Sequence, residues 1–234
     1  LPPQARCSEF RTKDLPEANL GTRRRRETGV PGEAAKSRIV LGVTGASGSV
    51  YGWRLLEKLS ARPDAEVHFI LSRSGERTGF LELGKSAADF RALATCTYPP
   101  EDIGCRLASG SFVTSGMVIA PCSINTMSSI ASGISSNLIV RAADVVLKER
   151  RRLILMVRES PLHLGHLRSM AALAEMGAIL APPVPAFYHH PKTIADLVED
   201  SVDRVLDLLG LPEEGASRWD GASKEKPPTR GTSG

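Results

Sequence analysis

The chain has 234 residues, of which 41% are hydrophobic and 24% charged, enough apolar material for one sizeable core in one domain. No apolar run approaches the ~20 residues that cross a bilayer, which excludes a helical membrane span. Much of the formal charge of +4 sits in Arg23–Arg26 and Arg150–Arg152, runs without the interleaved aromatic surface that binds nucleic acid, so that class is set aside as well.

In chain order, residues 1–37 mix prolines, glycines and charges with no hydrophobic period, the composition of a disordered extension. The arginines there suggest an organelle presequence, whereas Glu9, Asp14, Glu17, Glu27 and Glu33 break the acid-poor rule for one. Cytoplasm and an organelle are both compatible with this segment. Next, Ile39–Val43 is a β-branched run suited to a buried strand, and Val50–Leu59 is amphipathic. Between them the glycines fall at Gly42, Gly45 and Gly48, a spacing that departs from the G-x-G-x-x-G dinucleotide fingerprint. The following strand, near Glu66–Leu71, ends in Ser72-Arg73 and not in the acid that holds a ribose. Free amides at such a strand–turn–helix join, with Ser47 and Ser72 beside them, point to a phosphate and to a mononucleotide.

A helix over Glu76–Leu83 is followed by an irregular stretch, Gly84–Ser111. Met117–Ala120 is strand-like and runs into Pro121-Cys-Ser-Ile-Asn-Thr126 and a small-residue segment up to Gly133. The apolar side made by Leu138, Ala142, Val145 and Val146 predicts a helix over Asn137–Glu149, with Arg141 and Lys148 two turns apart. Leu153–Val157 is a further buried strand ending at Arg158-Glu159. A helix over His163–Met176, a strand at Ala178–Leu180, a proline-rich loop through Pro191 and a helix over Ile194–Leu209 complete the body; residues 212–234 form a Gly/Pro/Lys-rich tail in which only Trp219 is built to pack. This alternation predicts a parallel sheet covered on both faces, with Ser47, Ser72, Cys122–Thr126 and Arg158-Glu159 gathered at the carboxyl edge where ligands bind. The cysteines, Cys7, Cys96, Cys105 and Cys122, show no C-x-x-C pair, the usage of a reducing compartment; Cys96 and Cys105 would bridge only if the fold brought them together.

Five segments in order, Gly42-Val-Thr-Gly-Ala-Ser-Gly48, Pro121–Thr126, Arg141–Arg150, Arg158–His166 and Pro185–His189, closely resemble UbiX-type flavin prenyltransferases. The resemblance runs from about Arg38 to Trp219. It implies a flavodoxin-like Rossmann α/β core, a three-layer sandwich with a mostly parallel sheet, as an FMN-binding domain over 38–211. It also implies transfer of a dimethylallyl group from dimethylallyl phosphate to reduced FMN, without a metal. The product would serve a UbiD-type decarboxylase, and the enzyme would be a dodecamer with active sites where subunits meet. Matched position by position, the resemblance assigns Gly45, Ala46, Ser47, Ser72, Ser123, Ile124, Asn125, Thr126 and Arg158 to FMN. Arg141, Lys148, Tyr188 and Arg204 match the groups that hold the prenyl donor's phosphate, and Trp219 a tryptophan packed near the site. Ser47, Glu82, Lys148 and Glu159 are the implied catalytic residues: Glu159 for proton transfer to the leaving phosphate, and Glu82, Ser47 or the released phosphate for removing the flavin proton.

Two features depart from the family text. No aromatic residue occurs in Ile103–Ser109, where some relatives place one to face the prenyl cation, and Gly75–Lys85 reads differently around Glu82. Two other functions share the fold: a phosphopantothenoylcysteine-type decarboxylase, whose early histidine has no counterpart before His68, and a non-catalytic FMN carrier, which has no need of Lys148, Glu159, Tyr188 and Arg204. Taken without the resemblance, Arg141 and Lys148 read as a solvated stripe paired with Asp144 and Glu149. His163-x-x-His166 lacks the carboxylate or cysteine pair of a metal motif, and Cys122 reads as a small buried thiol.

Overall fold

The computed structural model describes residues 36–216 and 218. The chain divides after Pro182 into two units. In the first, strands β1 (Ser37–Val43), β2 (Ala65–Leu71), β3 (Cys96–Tyr98), β4 (Gly116–Cys122), β5 (Arg152–Val157) and β6 (Ile179–Leu180) form one sheet in the order β3-β2-β1-β4-β5-β6. Every neighbouring pair is parallel. The helices between them are α1 (Ser49–Ala61), α2 (Arg73–Leu83), α3 (Ala87–Leu93), α4 (Ile124–Ala131), α5 (Leu138–Lys148) and α6 (Leu164–Glu175). The result is a flavodoxin-like α/β fold. Its order reverses between β1 and β4, and at that reversal the connections leave a crevice beyond the strands' carboxyl ends.

Both faces of the sheet are covered, so its strands read as continuous apolar runs and not as alternating ones. On one face, Val40, Met117, Ile119, Leu153 and Leu155 pack against Leu138, Ile139 and Ala142 of α5 and Met127 of α4. The opposite face carries Phe69, whose ring lies parallel to that of Phe90 from α3 at 6.1 Å, with Trp53 of α1 edge-on to Phe90 at 4.9 Å. Close approach of α1 to the sheet depends on Gly52. A Cβ there would collide with the Ala120 carbonyl and lie 2.9 Å from Val43 Cγ2.

The long apolar runs match their predicted elements closely, and the differences lie where residues are few or small. The stretch expected to be irregular, Gly84–Ser111, contains α3, β3 and a 3₁₀ turn, Arg106–Ala108. Its seven- and three-residue elements are too short to show a period. The small-residue segment after β4 is helix α4, capped by Ser123, whose hydroxyl accepts from Thr126 N–H at 3.3 Å. Cys96 and Cys105 are thiols and not a disulfide.

The second part holds the loop to Pro191 and α7 (Ile194–Leu209), whose start is fixed by a reciprocal Thr193–Asp196 capping box and whose end is Gly210 at φ 79°. Val198, Val202, Val205, Leu206 and Leu209 form its buried stripe. Among the described residues no helix is long and apolar enough to cross a membrane. Trp219, the basic run Arg23–Arg26 and Cys7 lie outside the described residues.

Gly52→Ala is expected to lower stability by about 1–3 kcal/mol, the usual cost of forcing extra volume between packed backbones. A urea melt of the variant against the parent measures it, and an unchanged midpoint would mean that α1 shifts freely.

Candidate active site at the sheet's carboxyl edge

Three strand ends meet at the switch point around a cavity of about 480 Å³. Gly45, Ala46 and Ser47 follow β1, Ser123, Ile124 and Asn125 follow β4, and Arg158, Glu159 and Ser160 follow β5. Thr44, buried in the run between them, fastens the first two. Its hydroxyl donates to the Pro121 carbonyl at 2.7 Å and accepts from Ser123 N–H at 2.8 Å. The third is tied in by Arg158, whose Nε donates to the Ser47 carbonyl at 3.1 Å while its guanidinium lies 5.8 Å from the centre of the Tyr51 ring.

The turn after β1 is held from α2. Gly48, at φ 106°, is the residue before α1 and offers no side chain to cap the helix. Glu82 does so instead. Its carboxylate accepts from Gly48 N–H at 3.0 Å and Ser49 N–H at 2.8 Å. Burial works to raise the Glu82 carboxyl, but the hydrogen bonds from the Ser47 side chain and the Ser49 and Gly48 amides outweigh it and hold it below the ordinary glutamate value. Two of the amides that the glycine turn was expected to offer to a phosphate are therefore engaged by a protein carboxylate. The remaining donors around the cavity are the Gly45–Ser47 turn, the first turn of α4 and Arg158.

Of the residues expected to act, Gly45, Ala46, Ser47, Ser123, Ile124, Asn125, Arg158 and Glu159 share this cavity. Thr126 is buried in the first turn of α4 with its hydroxyl accepting from that of Ser123. Ser72 caps α2 by accepting from Gly75 N–H at 3.0 Å. Arg141 and Lys148 are not among the residues lining it. They flank the loop after the 3₁₀ turn, Arg141 donating to the Ala108 carbonyl at 3.2 Å and pairing with Asp144 at 2.6 Å, and Lys148 pairing with Glu149 over Gly110. Tyr188, in the proline-rich loop, and Arg204, on α7, belong to the second part of the chain, and Trp219 lies outside the described residues. Thr44, Tyr51 and Ser160 are additions that no sequence spacing singled out.

Burial pushes the Cys122 thiol up to about 12, so it is no nucleophile at neutral pH. His163 caps α6 by accepting from Gly165 N–H at 3.0 Å and stacks on His166 at 3.6 Å between ring centres. Both roles are structural.

A family model described as "Flavoprotein" matches residues 27–206. The chain is 52% identical over 184 residues to a protein of Thauera aromatica named flavin prenyltransferase UbiX, covering 79% of this chain and 94% of that one. A crystal structure titled AnUbiX (PadA1) in complex with FMN and dimethylallyl pyrophosphate superposes with a TM-score of 0.78 at 42% identity, covering 80% of this chain and all of that one. A second, titled a dodecameric FMN-dependent UbiX-like decarboxylase from Escherichia coli O157:H7, gives a TM-score of 0.77 at 45% identity over 79% of this chain and all of that one.

Removing the Glu82 carboxylate by Glu82→Gln is expected to destabilise the fold by about 1 kcal/mol, as loss of an N-cap does. Because the folded value is depressed, this contribution is full above the ordinary glutamate value of 4.5 and is lost as pH falls through the lower folded value. Paired melts across pH 3–7 should thus converge only at the acid end; a constant gap would refute the charge-based role.

Proposed function

Because this chain belongs to the UbiX-type flavin prenyltransferases of the flavoprotein family, we propose that it transfers a dimethylallyl group from a dimethylallyl phosphate donor to reduced FMN. The observation that carries this is the cavity where the β1, β4 and β5 ends meet, whose donor set of turn amides, short hydroxyls and one guanidinium suits a flavin mononucleotide. Reduced FMN, once bound, supplies the nucleophile that takes the prenyl group and the aromatic carbon on which the fourth ring closes.

The protein's part is electrostatic and acid–base. The donor's carbon–oxygen bond breaks and a phosphate dianion departs, so cations must gather where that charge develops. Arg141, Lys148 and Arg204 supply them, with Tyr188 hydrogen-bonding the same phosphate. Arg141 and Lys148 are held in half-exposed ion pairs with Asp144 and Glu149. Such exposed pairs are weak and are readily exchanged for a dianion. Both cations stand apart from the flavin cavity of their own chain. This supports a site completed where copies meet, as in the family's dodecamers. Glu159, at the cavity wall, protonates the departing phosphate. The hydrogen bond between Ser47, at the cavity, and the ionised Glu82 supports this pair as the relay for the flavin proton. The prenylated product is handed to a UbiD-type decarboxylase.

A non-catalytic FMN carrier is the second reading, and one measurement separates the two. The purified protein is mixed with reduced FMN and dimethylallyl phosphate without oxygen, and the flavin is weighed. Gain of one isoprene unit is expected, and bound but unchanged FMN would establish the carrier. Glu159→Gln is expected to retain FMN while slowing product formation by about a hundredfold or more. Arg204→Ala should weaken use of the prenyl donor far more than retention of FMN, and equal losses would contradict the division of the site.

A further inference from the structure

We propose that Glu66, His68 and Cys96 form a binding site for a divalent metal ion of the zinc class, toward the amino ends of β2 and β3 and apart from the flavin cavity. Glu66 and His68 are two apart in β2 and so share one face of the sheet. Cys96 is the register partner of His68 in the parallel β2–β3 pair. The three side chains thus converge, and their carboxylate, imidazole and sulfur ligand atoms lie within 4.8 Å of one another.

The imidazole shows the need for a ligand. His68 is wholly buried, with its Nδ1 hydrogen-bonded to the Tyr98 hydroxyl at 2.8 Å. Its Nε2 is also buried and forms no hydrogen bond, although it stands 3.4 Å from a Glu66 oxygen. In the tautomer that donates its Nδ1 proton to the Tyr98 hydroxyl, the Nε2 lone pair faces the Glu66 carboxylate and the Cys96 sulfur, a donor set that suits a cation. A buried polar atom left without a partner is destabilising. A cation at their centre removes that cost.

The surroundings are those of a metal site. Tyr98 orients the imidazole from its far nitrogen, and Arg38 holds the other Glu66 oxygen at 3.1 Å, the outer contacts that fix ligands in place. The Phe112 ring lies edge-on to His68 at 5.1 Å. Thiolate and imidazole favour zinc over magnesium or calcium, and three protein ligands leave a fourth, tetrahedral position to water. Bonds of about 2.0–2.3 Å require the ligand atoms to draw in by roughly 1 Å, and the Cys96 thiol gives its proton to solvent on binding. The ion would pin the three-residue edge strand β3 to β2.

The test uses the full chain stripped with a chelator and titrated with Co²⁺, read by the near-ultraviolet absorption of thiolate bound to cobalt. One such centre per chain is expected, displaced by Zn²⁺. Cys96→Ser should abolish the band while keeping FMN and prenyl transfer, and Cys105→Ser should leave the band unchanged. Tyr98→Phe should weaken Zn²⁺ by about tenfold, as loss of an outer contact does, and Glu66→Gln by at least that. A parent protein without the sulfur-dependent band, or a band that survives Cys96→Ser, would overturn the proposal. The first of these outcomes needs no variant to fold.

Discussion

A carboxylate reaching across from α2 holds the start of α1, and the shape of the cavity at the sheet's carboxyl edge follows from that contact. Gly48 lets the chain turn sharply off β1 but leaves the helix without a cap of its own. Glu82 supplies the missing acceptor, taking the Gly48 and Ser49 amides while also bonding the Ser47 side chain. A charged acceptor suits the partial positive charge of a helix N-terminus better than a neutral one. By occupying those amides, Glu82 fixes the turn that carries Gly45, Ala46 and Ser47 and places an ionised group one hydrogen bond from the cavity. Structural support and the proposed proton relay are here the same contact.

The cavity's other walls are held to this turn by few bonds. Thr44 joins the β1 and β4 ends through one hydroxyl used as donor and acceptor at once. Arg158 joins the β5 end by one bond to the Ser47 carbonyl and by stacking toward Tyr51. A lysine would lose both the directed Nε–H and the flat face. The cluster around Arg141 and Lys148 is differently built. Arg141 and Lys148 project from α5 around the Ala108–Gly110 loop, where Asp144 of the same helix and Glu149 just after it hold them without burying them. Surface pairs of this kind contribute little to stability.

Much of this was legible in the sequence, for physical reasons. Strands buried on both faces must be continuously apolar, so β1, β2, β4 and β5 announce themselves, and a parallel sheet then gathers the residues after them at one edge. That logic alone located Ser47, Ser123 and Arg158. Short elements escaped it. The helix α4 is written in Asn, Thr and Ser, whose helix propensity is low, and it exists because Ser123 caps it and Met127 and Ile130 are buried beneath it. Glu82 was legible only through family resemblance, since its partners lie 33 and 34 residues away and an exposed helical glutamate carries no mark of such a contact. Thr44 was hidden likewise, one β-branched residue among glycines.

The same limit bears on His68 and the residues around it. In the sequence it is a lone histidine inside an apolar strand, which reads as core. Only the parallel register sets Cys96 beside it, and only the packed side chains show that one ring nitrogen is satisfied by Tyr98 and the other is not. Glu66 is drawn two ways, by the Arg38 guanidinium at one oxygen and toward the imidazole at the other. His68 is a wholly buried polar group surrounded by a carboxylate, a phenol and a thiol, so its polarity is used there and not its volume alone. The strand ends and the strand starts of this sheet thus carry separate chemistries, one set by turns and helix termini and the other by the register of two neighbouring strands.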